Sequence, residues 1–193
     1  MIKKYRDIER NGMTLNSEKG FTLIEILIVL VIISVLVSLA AVGPEFIRNE
    51  NISKTSRELA GDLQRTRQDA MTSGTLVNSM GSGIRFANST SYTIFEFNDA
   101  DGDFRYDDAG EEANTIQRNL SSSIVIDING ASPDNNVLLY DKLGIPRNPE
   151  WKLSQMTIVI RHESSSSVRQ KCVVVSTNRV REGLWDGSNC QEQ

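Results

Sequence analysis

Residues 21–42, FTLIEILIVLVIISVLVSLAAV, carry a single charge, Glu25. As a helix the run would extend roughly 33 Å at about 1.5 Å per residue, enough for a hydrocarbon core of about 30 Å. So uniform a run is longer than a buried helix of a soluble domain requires, and it reads as a membrane span. Residues 1–20 hold Lys3, Lys4, Arg6, Arg10 and Lys19 against Asp7, Glu9 and Glu18. Basic residues ahead of the span keep the N-terminus cytoplasmic and send the remainder outward. The expectation is a single-pass anchor. A secretory signal peptide is the competing reading, with Ser38-Leu39-Ala40 as a small-x-small cleavage site and Ala41 as the new terminus. The charge inside the run, its length and the amphipathic continuation beyond it all oppose that reading.

Gly43-Pro44 interrupts the run, because proline lacks the donor N–H and clashes with the preceding turn. Helical periodicity then resumes. Ile52, Leu59 and Thr66 recur every seven residues, with Ser56, Leu63 and Ala70 offset by four. Charged and amide side chains fill the positions between. This predicts an amphipathic helix over 45–73 with one narrow apolar stripe and Gly74 as its C-cap. The two segments together read as one long kinked helix. From residue 74 to 193 the period changes to two. Strand candidates are Ile84–Ala87, Tyr92–Phe97, Ile124–Ile128, Val137–Tyr140, Met156–Arg161 and Cys172–Ser176. Turn clusters at Gly81-Ser82-Gly83, Asn98–Asp103, Asn129–Asn136 and Ser164–Ser167 separate them. The fold class is therefore α+β: a long N-terminal helix packed on a C-terminal antiparallel β-sheet domain, since neither surface buries itself alone.

Lys19-Gly20-Phe21-Thr22-Leu23-Ile24-Glu25 resembles the cleavage and assembly motif of type IV prepilins and type II secretion pseudopilins. The resemblance implies that residues 1–20 are a leader, that prepilin peptidase cuts between Gly20 and Phe21, and that Phe21 is then N-methylated. Glycine at the cut offers an unhindered extended backbone. Glu25 becomes the fifth residue of the mature chain. A carboxylate within the apolar layer costs about 2.5–3.5 kcal/mol, so its presence calls for a partner. In the family that partner is the terminal amine of a neighbouring subunit. A start at Met13 instead of Met1 would leave a leader of ordinary length for such proteins.

The stretch from Cys172 to Arg181, the late Cys190 and the acidic turn over 97–112 are similar to the GspH/FimT branch of minor pilins and pseudopilins. Asn178 stands where that branch has glycine in a Gly-Arg-x-Arg-like element; both residue types tolerate a left-handed turn. Beyond the membrane the compartment would be the oxidising periplasm, which favours a Cys172–Cys190 disulfide over two unpaired thiols. The fold implied is pilin-like. Its partners would be other pilin or pseudopilin subunits and the inner-membrane assembly platform, and its place an inner-membrane anchor with a periplasmic head.

The other chemical signals are thin. Asn98 to Asp103, followed by Asp107, Asp108, Glu111 and Glu112, invites a calcium reading, but setting Gly102 at the sixth position of an EF-hand loop puts Phe97 first, where a carboxylate belongs. An acidic hairpin without metal is the expectation. One histidine, His162, and no GxSxG elbow leave no hydrolytic triad, so neither an enzyme nor a cofactor is expected. A net charge of −4 opposes a general nucleic-acid coat. The alternative function is a FimT-type DNA receptor using Arg179 and Arg181, which alternate onto one face of an extended segment beside Glu182 and Asp186. The leading reading is a non-enzymatic minor pseudopilin or minor pilin that assembles, primes or caps a fibre.

Overall fold

The computed structural model describes residues 20–40, 43–72, 79–129, 136–164 and 169–192. The chain divides into two compact units, residues 1–42 and 43–193.

In the first unit, helix α1 covers Leu23–Ala40. Its eighteen residues give about 27 Å of rise, less than the length expected for 21–42. Phe21 and Thr22 precede the helix, and residues 41 and 42 lie outside the described residues. Among the described residues no helix is long and apolar enough to cross a membrane. The hydroxyls of Ser34 and Ser38 donate back to the carbonyls of Leu30 and Ser34, at 2.7 and 2.8 Å. Each hydroxyl is thus satisfied within the helix.

The second unit begins with α2, Pro44–Thr72. Pro44 is its first residue, where a missing N–H costs nothing, and Gly43 stands outside it. The expected kink at Gly43-Pro44 falls where the second unit begins, and α2 has its own start there. Gly74, the expected cap, lies outside the described residues. All six stripe positions, Ile52, Ser56, Leu59, Leu63, Thr66 and Ala70, are buried.

Among the described residues ten strands form two antiparallel five-stranded sheets rather than one. The first has the order β3-β2-β1-β5-β6, from β1 (Ser79–Asn88), β2 (Ser91–Asn98), β3 (Glu112–Asn119), β5 (Val137–Asp141) and β6 (Pro146–Arg147). The second has the order β10-β9-β8-β7-β4, from β4 (Ile124–Asn129), β7 (Met156–His162), β8 (Lys171–Val175), β9 (Val180–Trp185) and β10 (Cys190–Glu192). Gly81-Ser82-Gly83 is not a turn; it lies within β1, paired with Phe97 to Phe95 on one side and Asp141 to Leu139 on the other. Close packing explains the glycines. A Cβ on Gly81 would fall 1.9 Å from the Tyr140 carbonyl oxygen, and one on Gly83 2.7 Å from both Leu139 Cδ2 and Phe95 Cζ.

The main core joins the α2 stripe to Ile84, Phe86, Tyr92 and Leu138 of the first sheet and to Ile126, Ile158, Ile160 and Val173 of the second. The far face of the first sheet has its own cluster, Phe95, Phe97, Tyr106, Val137 and Leu139, with Trp151 against it. One helix thus serves as the common floor of both sheets.

Candidate functional site

Thr22 caps α1. Its Oγ1 accepts from the Glu25 amide at 3.3 Å and its carbonyl oxygen accepts from the same amide at 3.1 Å. Thr22 and Glu25 stand at capping-box spacing, a signal present in the sequence that the motif reading passed over. A carboxylate in the first turn also suits the positive end of the helix dipole. Among the described residues the Glu25 carboxylate itself has neither an ion-pair partner nor a hydrogen-bond donor. Phe21 is 77% exposed, and the large apolar side chains of α1 from Leu23 to Val37 are exposed on every face. A helix apolar all round has no solvent face of its own.

Gly20 is exposed and lies ahead of the helix. A Cβ built on it meets nothing within 4 Å. Among the described residues neither packing nor a left-handed backbone calls for glycine there. Lys19 and the rest of the leader lie outside the described residues.

The two cysteines form the Cys172–Cys190 disulfide, with a Cα–Cα distance of 5.9 Å. It does more than tie down a loose terminus. Cys172 pairs with Gly183 on β9, and β9 pairs in turn with β10, so the bond links β8 to β10 across the intervening strand. Gly183 makes room for it: a Cβ there would lie 2.8 Å from Cys190 Sγ and 2.3 Å from the Gln191 carbonyl oxygen.

Arg179 and Arg181 do share a face, and an acid occupies it. Glu192 Oε1 lies 2.5 Å from Arg179 Nη2 and 2.9 Å from Arg181 Nη1. The Arg181 hydrogen bond first, and the nearby Arg179 charge, hold the Glu192 carboxyl below the usual carboxylate range. The turn into β9 is closed by the Ser176 amide donating to the Arg179 carbonyl at 3.0 Å. Asn178 is not among the residues with positive φ, so the expected left-handed conformation is not used. Arg67 of α2 grips this turn instead, donating to the carbonyls of Asn178 at 2.8 Å and Thr177 at 3.3 Å. Glu182 accepts from the Ser56 hydroxyl at 2.8 Å, which joins β9 to the buried stripe of α2.

The acidic turn brings Asp99, Asp101 and Asp103 together, with carboxylate oxygens within 4.8 Å of one another. Asp99 is buried and accepts from the amides of Gly102 and Phe104, at 2.8 and 3.2 Å. Asp101 and Asp103 accept from the amides of Asp103 and Arg105. The carboxylates hold the turn's own backbone, the ordinary work of aspartate in such loops. Burial pushes the Glu111 carboxyl upward even though the Asp107 amide donates to it. Glu112 sits apart from that group: it takes Arg85 through two hydrogen bonds, at 2.5 and 3.0 Å, and the Tyr106 hydroxyl at 2.6 Å. His162 accepts from the Ser164 amide and closes a turn.

The prokaryotic N-terminal methylation motif matches residues 11–41. The model of the type II transport protein GspH family matches residues 55–178, more than half of the chain. The chain belongs to the GspH family. Among solved structures, the minor pseudopilin EpsH from the Type 2 Secretion System of Vibrio cholerae aligns with a TM-score of 0.47 and 15% identity, over 70% of this chain and 96% of that one. No curated protein matches. The GspH match runs from the α2 stripe to the β8–β9 turn. Arg179, Glu192 and Cys190 of this GspH-family chain lie beyond it.

Proposed function

We propose that this GspH-family chain is a minor subunit of a type II secretion pseudopilus, a structural rather than catalytic component. Prepilin peptidase cuts it between Gly20 and Phe21, and Phe21 is N-methylated. Residues 21–42 anchor it in the inner membrane until the assembly platform extracts it into the fibre, and the remainder forms a periplasmic head. Glu25 neutralises the terminal amine of a neighbouring subunit's Phe21, in surroundings where an unpaired charge is expensive.

The observation that carries this reading is α1 itself. It is apolar on every face, follows an exposed glycine three residues ahead of its start, and holds one carboxylate with no partner among the described residues. Each of those properties is answered by a second molecule: a lipid, a peptidase or another subunit. Intact-mass measurement on membrane-extracted protein should give a methylated terminus at Phe21. A terminus at Ala41, or an uncut chain, would remove the basis for the reading. Glu25→Gln should be inserted and cut as wild type is, yet be about tenfold or more depleted from the fibre, given the cost of an unpaired terminal amine in an apolar layer.

A further inference from the structure

Near the start of α2 a polar cavity of about 380 Å³ opens between the helix and the second sheet, lined by Asn49, Ser53, Arg169, Lys171 and Leu184. Its lining contains two cations and no acid. Among the described residues neither the Arg169 guanidinium nor the Lys171 ammonium is in an ion pair; Arg48, Arg57, Arg105 and Lys142 are likewise outside any ion pair, but none of these four lines the cavity. The rim is fixed in place. Asn49 Oδ1 accepts from the Arg169 amide at 3.3 Å, and the Trp185 amide donates to the Gln170 carbonyl at 3.1 Å. With its oxygen engaged, the Asn49 side chain has its amide N–H groups left to offer, next to the Ser53 hydroxyl. Donors and positive charge from three elements therefore converge on one polar cavity. That is the chemistry of an oxyanion site, and of a phosphate in particular.

Position selects the source of the phosphate. Asn49 is five residues beyond Pro44, so whatever the direction of α2 it lies no more than about 8 Å from the helix start at 1.5 Å per residue. Only Gly43 separates Pro44 from the apolar run in sequence. The headgroup layer on each side of a bilayer is about 5–8 Å thick, and basic residues at that depth attract anionic headgroups. We propose that the cavity holds the phosphate of an anionic phospholipid headgroup on the periplasmic side while the subunit waits in the membrane. Release of that headgroup then accompanies extraction into the fibre. This rests on the membrane topology given above for residues 21–42.

The full chain, reconstituted in nanodiscs of phosphatidylcholine with phosphatidylglycerol and then released in mild detergent, is examined by native mass spectrometry. Wild type should keep phosphatidylglycerol in preference to phosphatidylcholine. Arg169→Gln/Lys171→Gln should lose that retention about tenfold or more, since two basic contacts are removed. Arg179→Gln/Arg181→Gln should keep it. A chain that fails to insert overturns the topology and this site together. A chain that inserts but shows no preference, or a double variant that retains lipid as wild type does, overturns the site alone. Inorganic phosphate titrated over the same samples separates the sources: displacement of the lipid at equal concentration would assign the cavity to free phosphate and overturn the headgroup reading. If the Arg169/Lys171 variant keeps its lipid but is missing from the fibre, the cavity serves an acidic group of a neighbouring subunit, and the lipid proposal is wrong.

Discussion

Helices α1 and α2 follow one another in sequence and solve opposite problems. The second has one narrow stripe, and the chain supplies everything that stripe needs: two sheets against Ile52, Leu59 and Leu63, a carboxylate for Ser56 and turn carbonyls for Arg67. The first has no stripe because every face is apolar, and its one charge finds no answer among the described residues. A helix whose pattern is resolved internally belongs to the fold of a domain. A helix whose pattern is not resolved belongs to an environment or an assembly.

The widest separation between the two should come from paired truncations. Leu63→Ala is expected to destabilise the second unit by about 2–5 kcal/mol in urea unfolding of the detergent-solubilised full chain, as for other fully buried leucines. Leu30→Ala should leave that transition where it is. Equal shifts from both would break the comparison, because α1 would then be part of the same cooperative core.

Next in size is the disulfide, the one covalent support of the internally solved part. Cys172→Ser/Cys190→Ser should cost about 3 kcal/mol for a loop of this length in the chain-entropy model. Gly183→Val should act in the same direction, since its side chain would occupy the space of Cys190 Sγ and the Gln191 carbonyl. Free-thiol titration of the purified Gly183→Val protein checks the mechanism: thiols should appear without either cysteine being changed.

Ser56→Ala sharpens the contrast between two carboxylates. It removes the donor to Glu182 and should cost about 1–3 kcal/mol, the usual range for stranding a partly buried charged acceptor. Glu25→Gln should leave the same unfolding transition unmoved and register only in the fibre.

The smallest effect concerns Glu192. Its depressed carboxyl contributes stability above the unfolded value of about 4.3, and that contribution is lost as pH falls through the folded value. The protection factors of the β10 amides should therefore fall below about pH 4 in wild type, while those of Glu192→Gln should show little dependence on pH in that window. The same substitution frees Arg179 and Arg181. Duplex DNA binding should remain weak at physiological salt, with a salt slope rising to at most about 1.8 for two phosphate contacts. Micromolar binding by wild type with a steep slope, abolished by Arg179→Ala/Arg181→Ala, would put the DNA-receptor function ahead of the secretory one.

Much of the molecule was legible wherever a residue's neighbours are its own periodic partners. The heptad recurrence located six of the eight buried positions of α2, missing Thr55 and Ala60, and alternation located the facing pairs Ile126–Ile160 and Ile128–Ile158 of β4 and β7. Elements whose identity depends on distant chain were not legible. Strand β3, EANTIQRN, is a mostly exposed edge and shows no alternation to read. The glycines of β1 signal a turn locally, yet they are there because β5 and β2 approach too closely for side chains. The strands β9 and β10 are defined by pairing and by the disulfide, not by composition. At the candidate site the motif points to Gly20, Phe21 and Glu25, whose roles are those the resemblance implies. Thr22 was readable as a cap but was hidden inside a motif with another meaning. No local pattern could show that Glu192 neutralises Arg179 and Arg181, because that depends on where β10 docks.

The attachments of α2 have a consequence for traction. Ser56 to Glu182, Asp62 to Tyr92 at 2.7 Å, and Arg67 to the β8–β9 turn are spaced along the helix, each reaching sideways to a different strand or turn. A pull along the axis of α2 strains all of them at once, together with the buried stripe, so they share it in parallel like rungs in shear. A pull at right angles from one end would meet them one after another and unzip the helix from its sheets. The second unit is therefore braced against a load along the axis of α2 and easiest to peel by one at right angles to it.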